Sequence, residues 1–341
     1  MISWFGGPWC VRSATSAGIG RVSLLLLAFH VSAALAQEPA PRNDAFLVSL
    51  SGASSVALVS AASGAVIARF DVPDGPHELR VAASGDRAFV AIPGPSAARP
   101  GRRLAVLNLR TRTTETSHQL TGCDQPHDVR IGPDDALVWV ACAAEQGVFE
   151  LDGRTLAVRR TWNTGLDGGW FVEATPDGRK LYVPHLEGKA LTVVDRGTGR
   201  VGWVYAGGAQ SGIGVAPDGR EIWVVDHERQ RLAIVSTSSD AVVARIPLDS
   251  AGFGRLAFTP DGTQVVLVQG RRLTVFDARR HRGTGAVELP FAGKVIAASP
   301  DGSRAAVSHP AHGKVSIVDL ATGGVRSIDV GAQPDGVAWV R

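Results

Sequence analysis

The chain has few of the residues that mark helical or readily recognised catalytic proteins. It contains one Met and two Tyr, and no stretch sustains a helical hydrophobic period between helix caps. It lacks the HExxH, CxxCH, Walker and GxSxG motifs, which excludes the best-known zinc, covalent haem, nucleotide and serine-hydrolase sites. With 40 Gly and 19 Pro, the composition instead suits many short strands joined by turns.

Neither sign of charge is in excess. The 35 basic and 32 acidic residues leave a formal charge of +3. Two of the basic residues, Arg12 and Arg21, lie in a segment that we expect to be removed, so the mature chain is close to neutral. A protein without a broad basic face is not expected to bind nucleic acid or an anionic membrane surface.

One long apolar run, VSLLLLAFHVSAALA at 22–36, follows these two arginines. A basic region, an apolar region and then Ala34-Leu35-Ala36 form the pattern of a secretory signal peptide that is cut after Ala36. An uncleaved N-terminal anchor is the alternative. We therefore expect a signal peptide at 1–36, a flexible leader at 37–44 and a periplasmic or secreted domain at 45–341.

Two cysteines, Cys123 and Cys142, remain after the predicted signal peptide. In an oxidising compartment a cysteine pair is expected to form a disulfide. A pair of thiolate metal ligands is the alternative interpretation.

A short phrase recurs through the second half of the chain, as a tight turn followed by an apolar run. The copies are TPDGRKLYV at 175–183, APDGREIWV at 216–224, TPDGTQVVLV at 259–268 and SPDGSRAAV at 299–307. A further apolar run in each repeat ends at a short polar residue. The seven residues in question are Ser60, Asn108, Asp152, Asp195, Ser236, Asp277 and Asp319. Their period of about 42 residues indicates a repeat architecture.

Each repeat contains four short strands, and four-stranded antiparallel units at this period build a β-propeller. The mature chain begins with a strand of the second kind, AFLVSL at 45–50, and ends with one of the first kind, PDGVAWVR at 334–341. The last strand is therefore expected to complete the first blade, which removes the exposed sheet edges. We predict an all-β, seven-bladed β-propeller whose ring is closed by the C-terminal strand.

The succession PDG-x-x-[LIV]-[YW]-V, V-x-V-[VI]-D and T-G-x-V resembles the YVTN family of β-propeller repeats. The clearest copy is LYVPHLEGKALTVVDRGTGRV at 181–201, and the resemblance covers roughly residues 45–341. The resemblance implies the fold but leaves the function open. Related propellers include periplasmic proteins of unknown role, lactonase-like enzymes, the cytochrome d1 haem domain and surface-layer proteins.

The propeller fold places the entry to each first strand and the exit from each second strand around one mouth of the central channel. The seven entries are His77, His127, Trp170, Ser211, Gly254, Lys294 and Asp335. The residues that follow them are Glu78, Asp128, Phe171, Gly212, Arg255, Val295 and Gly336. The predicted ligand- or partner-binding mouth consists of His77, Glu78, His127, Asp128, Trp170, His185, Asp226, His227, Lys294, His309 and Asp335.

This set of side chains allows more than one chemistry. Imidazoles with carboxylates suit a transition metal, and the candidate ligands are His77, His127, His185 and His309. A single histidine is also a suitable axial ligand for a non-covalent haem. The alternative is that Pro-His is how this repeat enters its first strand, with a ring nitrogen bonded to a loop carbonyl.

Three functions remain as alternatives. The first interpretation is a non-enzymatic exported propeller, expected to be monomeric, that binds a periplasmic protein or a small molecule at the mouth. It requires only a rigid ring with varied loops, which the sequence supplies. The second is a metal-dependent enzyme of the lactonase or lyase kind, and the third is a haem- or quinone-cofactor protein. One scaffold hosts many chemistries, so the fold does not choose among them.

Overall fold

The computed structural model describes residues 44–250 and 252–340. These residues form seven four-stranded antiparallel sheets, the blades of a propeller, and one short 3-10 helix at Pro310–His312. The predicted signal peptide at 1–36 and nearly all of the leader lie outside the described residues. In the part of the chain that is described, no helix has the length and apolar character needed to cross a membrane.

The strands are numbered in chain order. The blades are numbered in the order in which their second strands occur along the chain. Blade 1 contains β1 (Ala45–Leu50), β2 (Ser55–Ser60) and β3 (Val66–Asp71). Blade 2 contains β4 (Leu79–Val81), β5 (Arg87–Ile92), β6 (Arg103–Asn108) and β7 (Thr113–Gln119). Blade 3 contains β8 (Pro126–Ile131), β9 (Leu137–Cys142), β10 (Gly147–Asp152) and β11 (Val158–Asn163). Blade 4 contains β12 (Glu173–Ala174), β13 (Lys180–Pro184), β14 (Leu191–Asp195) and β15 (Val201–Val204).

The last three blades follow the same order from the channel outward. Blade 5 contains β16 (Gln210–Val215), β17 (Glu221–Asp226), β18 (Arg231–Ser236) and β19 (Ala241–Pro247). Blade 6 contains β20 (Gly254–Phe258), β21 (Gln264–Gln269), β22 (Arg272–Asp277) and β23 (Arg282–Glu288). Blade 7 contains β24 (Ile296–Ala298), β25 (Arg304–His309), β26 (Lys314–Asp319) and β27 (Val325–Asp329).

The C-terminal strand, β28 (Pro334–Trp339), completes blade 1 by pairing with β1. Phe46 lies opposite Trp339 in this antiparallel pair, and their rings meet edge to face at 5.9 Å. The first blade is thus built from both ends of the propeller domain. This confirms the seven-bladed fold and the closure that the strand order predicts.

Neighbouring blades are held together by apolar clusters, each shared by the facing sides of two sheets. Between blades 3 and 4, the fully buried Trp139 packs in one cluster with Leu181. Between blades 5 and 6, the ring of Trp223 lies 5.8 Å from that of Phe258. Burial of each large apolar side chain contributes about 1.5–3 kcal/mol, so stability is spread around the ring rather than concentrated in one core.

The PDG turns join the first and second strands of a blade on the face opposite the entries to the first strands. In the copy at 176–178, Asp177 accepts hydrogen bonds from the Thr175 hydroxyl (2.6 Å) and the Arg179 N–H (3.0 Å). The bond from Thr175 is the main cause that lowers the pKa of Asp177. Gly178 has φ +65°, in the left-handed region that favours glycine. The recurring phrase therefore has a structural role, away from the candidate site.

Candidate binding site at the mouth of the channel

The entries to the innermost strands surround one end of the central channel, which we call the mouth. Its side chains are unevenly distributed around the ring. On blades 5 and 6 the entries are small, and a Cβ on Gly212 would lie 2.3 Å from the carbonyl oxygen of Gly254. The large polar and aromatic side chains therefore come mainly from blades 7 and 1–4. They are Lys294, Asp335, His77, His127 and Trp170.

Three polar side chains from blades 7, 1 and 2 meet at the mouth. The Lys294 ammonium donates to Asp335 Oδ2 at 2.7 Å, and His77 Nδ1 lies 3.5 Å from the same oxygen without forming a hydrogen bond. Burial lowers the pKa of His77, and Asp335 offsets part of that effect. The imidazole is therefore neutral at pH 7. The three side chains line a cavity of about 340 Å³, together with Ser51 and Gln333.

His127 lies in an aromatic cluster next to this group. Its ring centroid is 4.9 Å from those of His77 and Trp170 and 5.2 Å from that of Phe171, and all three contacts are edge to face. Burial lowers the pKa of His127 well below its usual value, and the nearby His77 lowers it further. His127 is thus a neutral imidazole at pH 7, able to donate one hydrogen bond and accept another.

Arg255 crosses the central channel. It enters from blade 6, and its guanidinium forms an ion pair with Glu78 on blade 2 and lies 3.5 Å from the ring centroid of Phe171 on blade 4. These blades are not neighbours, so the guanidinium must lie across the channel. The ion pair therefore connects opposite sides of the ring.

A chain of ion pairs extends from Glu78 through the innermost strands of blades 2–4. Arg80 lies 3.7 Å from Glu78 and 3.6 Å from Asp128. Arg130 donates to Asp128 at 2.9 Å and also pairs with Glu173. Asp128 also accepts a hydrogen bond from a backbone N–H of blade 4. The oxygens of Asp128 are thus engaged inside this chain of charges, and its role as a ligand at the mouth stays a prediction.

Buried polar atoms without a hydrogen-bond partner concentrate at the mouth. Within residues 44–250 and 252–340, they are His77 Nδ1, Glu78 Oε2, His127 Nδ1, Trp170 Nε1, Gln210 Nε2 and Oε1, His227 Nδ1 and Asp335 Oδ1. All belong to residues that enter a first strand or leave a second strand on this face. Leaving one such group unsatisfied costs roughly 1–3 kcal/mol. Their concentration makes the mouth the candidate polar site for water, an ion or a ligand.

His185, by contrast, has both ring nitrogens occupied. Its Nδ1 lies 3.0 Å from the Asp167 carbonyl oxygen and its Nε2 lies 2.9 Å from the Thr192 hydroxyl. A carbonyl oxygen only accepts, so Nδ1 carries the proton and Nε2 accepts from the hydroxyl. The fully buried ring therefore fastens the loop that enters blade 4 to the third strand of the same blade.

His309 makes the equivalent pair of bonds in blade 7. Its Nδ1 lies 3.0 Å from the Ala292 carbonyl oxygen and its Nε2 lies 2.8 Å from the Ser316 hydroxyl. Burial lowers the pKa of both His185 and His309. These hydrogen bonds give the two histidines a structural role as latches, and a ligand role for them at the mouth stays a prediction. The alternative of a ring nitrogen bonded to a loop carbonyl applies to them.

The end of the second strand in blade 5 holds Asp226 at the position corresponding to His185. Its carboxylate accepts from the Arg229 N–H (3.1 Å) and from Arg231 Nε (2.9 Å), so it braces its own loop and is not free for a ligand. The next residue, His227, stacks on Phe253 at 4.7 Å and keeps an unpartnered Nδ1. Of this predicted pair, His227 is therefore the candidate that remains.

The predicted disulfide between Cys123 and Cys142 is present, with a Cα–Cα distance of 5.3 Å. Cys142 ends the second strand of blade 3, the position that His185 and His309 hold in their blades. The bond thus fastens the loop that enters blade 3, which is the loop that leads to His127. The same repeat position thus fastens the preceding loop in three blades, by a disulfide in blade 3 and by an imidazole in blades 4 and 7.

The predicted metal ligands are not brought together as a set. Within the described ranges, three metal-ligating groups come within 4.8 Å of one another only at Cys123, Cys142 and Glu145, where the two sulfurs form the disulfide. Of the four predicted histidine ligands, His77 and His127 have an unpartnered ring nitrogen, whereas both nitrogens of His185 and His309 are hydrogen-bonded. The metal-dependent enzyme interpretation receives no support from this geometry.

Sequence reasoning did not assign a role to Gln210 or Arg255. Gln210 stands one residue before the entry position of blade 5, and its side chain is fully buried with neither amide atom paired. Arg255 stands in the position that holds Glu78 and Asp128 in other blades. The reversed charge at that position was the signal available in the sequence. Only the closed propeller shows that Arg255 and Glu78 meet across the channel.

Comparisons with known proteins agree on the fold. No family model and no curated protein matches the chain. Among solved structures, the hydrazine synthase of Kuenenia stuttgartiensis aligns with a TM-score of 0.71 at 18% identity, over 82% of this chain and 94% of that one. The likeness shows a β-propeller fold. This agrees with the YVTN-type resemblance of its repeats.

Two further structures resemble the chain. A functionally unknown protein from Desulfotomaculum acetoxidans DSM 771 aligns with a TM-score of 0.74 at 12% identity, over 86% of this chain and 98% of that one. The dihydro-haem d1 dehydrogenase NirN, in complex with DHE, aligns with a TM-score of 0.65 at 14% identity, over 89% of this chain and 77% of that one. At these identities the likeness of the chain to its neighbours shows the fold alone.

Proposed function

We propose that this propeller is a non-enzymatic binding protein that holds a small polar molecule in the mouth. The observation that carries the proposal is the concentration of unpartnered buried polar atoms there. Several such groups at roughly 1–3 kcal/mol each are a large cost for a domain whose total stability is of the order of 5–15 kcal/mol. A ligand that satisfies them offsets that cost when it binds.

The cavity at the mouth supports a small ligand. It measures about 340 Å³, near the lower end of the 300–1,000 Å³ range of ligand pockets, and His77, Lys294 and Asp335 are among the residues that line it. The disulfide and the histidine latches hold the surrounding loops in place. A rigid cavity loses little conformational entropy on binding, which favours affinity.

The test is equilibrium dialysis of the purified domain against a bacterial metabolite extract, with retained compounds identified by mass spectrometry. Trp170→Phe removes an unpartnered indole N–H while it keeps an aromatic ring, so it should reduce retention. The matched control is Trp203→Phe on the outer strand of the same blade, because the Trp203 indole has a partner and donates to the Thr164 carbonyl at 2.9 Å. If no compound is retained, or if both variants retain it equally, binding at the mouth is disproved.

A second candidate is a non-covalent haem. His77 favours it, because a half-buried imidazole with an unpartnered Nδ1 borders the cavity and could serve as an axial ligand. The lining fits a macrocycle less well, since Ser51, Lys294, Gln333 and Asp335 make it polar. Titration with haem, followed by absorption, should give a Soret shift that His77→Ala abolishes if this candidate is correct, and no shift if it is wrong.

The proposed place of action is the periplasm or the exterior of the cell. The signal-peptide pattern that ends at Ala36 supports export, and the Cys123–Cys142 disulfide suits an oxidising compartment. Expression of the full chain in a bacterium, followed by cell fractionation and intact mass measurement, tests this. The expected product is a periplasmic protein that begins at Gln37. Full-length protein retained in the cytoplasm would contradict it.

A further inference from the structure

A second cavity lies between blades 5 and 6 and shares no residue with the cavity at the mouth. Residues 245–250, at the end of β19 and just after it, form one wall, and Thr274, Phe276 and Arg282 belong to the other. The cavity measures about 370 Å³, and we call it the blade 5–6 groove. We propose that it binds an acidic segment of a partner protein in an extended conformation.

The groove contains two arginines that have no partner. Arg245 and Arg282 both line it, and both are exposed. Within residues 44–250 and 252–340, neither makes a hydrogen bond or an ion pair. They come from different blades, so the folded ring brings together two positive charges that local pairing leaves available. A guanidinium binds a carboxylate through two parallel hydrogen bonds, which makes acidic side chains suitable partners.

The carboxylates beside the groove are engaged with other groups. Asp249 lines the groove and is 3.6 Å from a guanidinium nitrogen of Arg272. Glu221 faces the imidazole of His281, whose Nε2 is 3.1 Å from both of its oxygens. Neither carboxylate pairs with the two free arginines, so the lining keeps an excess of positive charge. An anionic partner is therefore favoured over a neutral or a cationic one.

The two arginines are offset along the strand direction. Arg282 lies opposite Asp277, the last residue of β22. In blade 5 the equivalent position, opposite the last residue of β18, belongs to Ala241. Arg245 stands four residues farther along β19, which is about 13 Å at about 3.3 Å per residue. Two or more anionic groups spaced along a chain match this offset better than one compact anion does.

Apolar atoms complete the lining of the groove. They belong to Ile246, Pro247, Leu248 and Phe276. All of these except Pro247 are members of the apolar cluster shared by blades 5 and 6, so this wall is fixed by packing. Side chains of an extended segment alternate in direction, so acidic residues can meet the arginines while apolar residues between them contact this wall.

The experiment is fluorescence anisotropy of a labelled ten-residue peptide in which glutamate alternates with valine, titrated with the purified domain. This peptide should bind, and the same peptide with glutamine in place of glutamate should not. Arg245→Met and Arg282→Met should each weaken binding about fivefold, the upper range for one exposed ion pair. Raising sodium chloride from about 0.05 M to about 0.5 M should weaken it as well, because salt screens exposed charges.

Arg279→Met is the matched control. Arg279 lies in the turn just before Arg282 and is also exposed and without a partner in the described part of the chain, but it does not line the groove. Its replacement should leave binding unchanged. If Arg279→Met weakens binding as much as the other two variants do, the peptide follows surface charge in general and the proposal is wrong.

Further outcomes would overturn the chemical class of the partner. No binding of the glutamate peptide does so. Tighter binding of inorganic phosphate or of a single-stranded oligonucleotide, with the same dependence on Arg245 and Arg282, would show a site for a small anion or for nucleic acid instead. None of these outcomes affects the ligand proposed for the mouth, because the two cavities have no residue in common.

Discussion

Replacing Gln210 by methionine should make the ligand-free propeller more stable. The Gln210 side chain is fully buried, and neither its Nε2 nor its Oε1 has a hydrogen-bond partner. Methionine is unbranched and of similar length, so it fills the same space without polar atoms that need partners. Removing an unsatisfied buried amide should recover about 1–3 kcal/mol of unfolding free energy.

Blade 6 offers a matched control for this substitution. Gln269 is nearly as buried, but its Nε2 donates to the Gly252 carbonyl oxygen at 2.9 Å. Gln269→Met removes that bond and should therefore destabilise the protein by about 1 kcal/mol. The same chemical change is thus expected to have opposite signs at the two positions, because only one of the glutamines is paired.

Urea unfolding of the ligand-free domain, followed by tryptophan fluorescence, measures both effects. A change of stability should move the midpoint while the slope of free energy against urea stays constant. If Gln210→Met lowers the midpoint as Gln269→Met does, then Gln210 is satisfied in solution and its weight in the argument for a ligand site is lost. The Gln210→Met variant should also bind the ligand more weakly, as expected when a functional site is traded for stability.

The remaining predictions concern the disulfide, the ion pair of Arg255 with Glu78 and the buried histidines. Replacing both Cys123 and Cys142 by Ser should lower the free energy of unfolding by about 3 kcal/mol, from the entropy of a loop of 19 residues. Urea unfolding of the unsubstituted domain with and without reductant makes the same comparison, and coincident curves would contradict it. Arg255→Met should cost about 3–5 kcal/mol because Glu78 stays buried and charged, and Arg255→Met with Glu78→Gln should recover part of the loss in the same assay. Burial lowers the pKa of four histidines: His77, His127, His185 and His309. The unfolded chain therefore binds more protons below about pH 6.5, so stability should be complete above that pH and fall toward pH 5, by up to about 1.4 kcal/mol per pH unit and histidine. A midpoint of urea unfolding that is constant from pH 7.5 to 5 would refute it.

Much of the fold could be read from local signals. The PDG turns recur because Asp177 and its equivalents accept backbone and hydroxyl hydrogen bonds within a few residues, and the glycine that follows adopts a positive φ. Such interactions depend on the local sequence alone, so they identify strand ends. The closing pair of β28 with β1 followed from the order of strands. The disulfide followed from the count of cysteines.

The roles of the histidines could not be predicted in the same way. His77 and His309 are equally plausible ligands in the sequence, because both lie at loops on one face. What separates them is whether a carbonyl and a hydroxyl stand within 3.0 Å of the ring nitrogens, as Ala292 and Ser316 do for His309. Those partners come from different parts of the repeat, and their distances depend on how the loops pack.

The sequence alone determined the number of blades, the strand order, the closure and the disulfide. The blades and their strands follow from a recurring local pattern, the closure from the kinds of strand at 45–50 and 334–341, and the disulfide from a single pair of cysteines. Only the tertiary structure decided which polar groups are satisfied. Glu78 and Arg255 stand 177 residues apart and meet across the channel, and His127 gains its aromatic neighbours from two other blades. The mouth is formed by side chains from blades that are distant in sequence, so its chemistry exists only once the ring has closed.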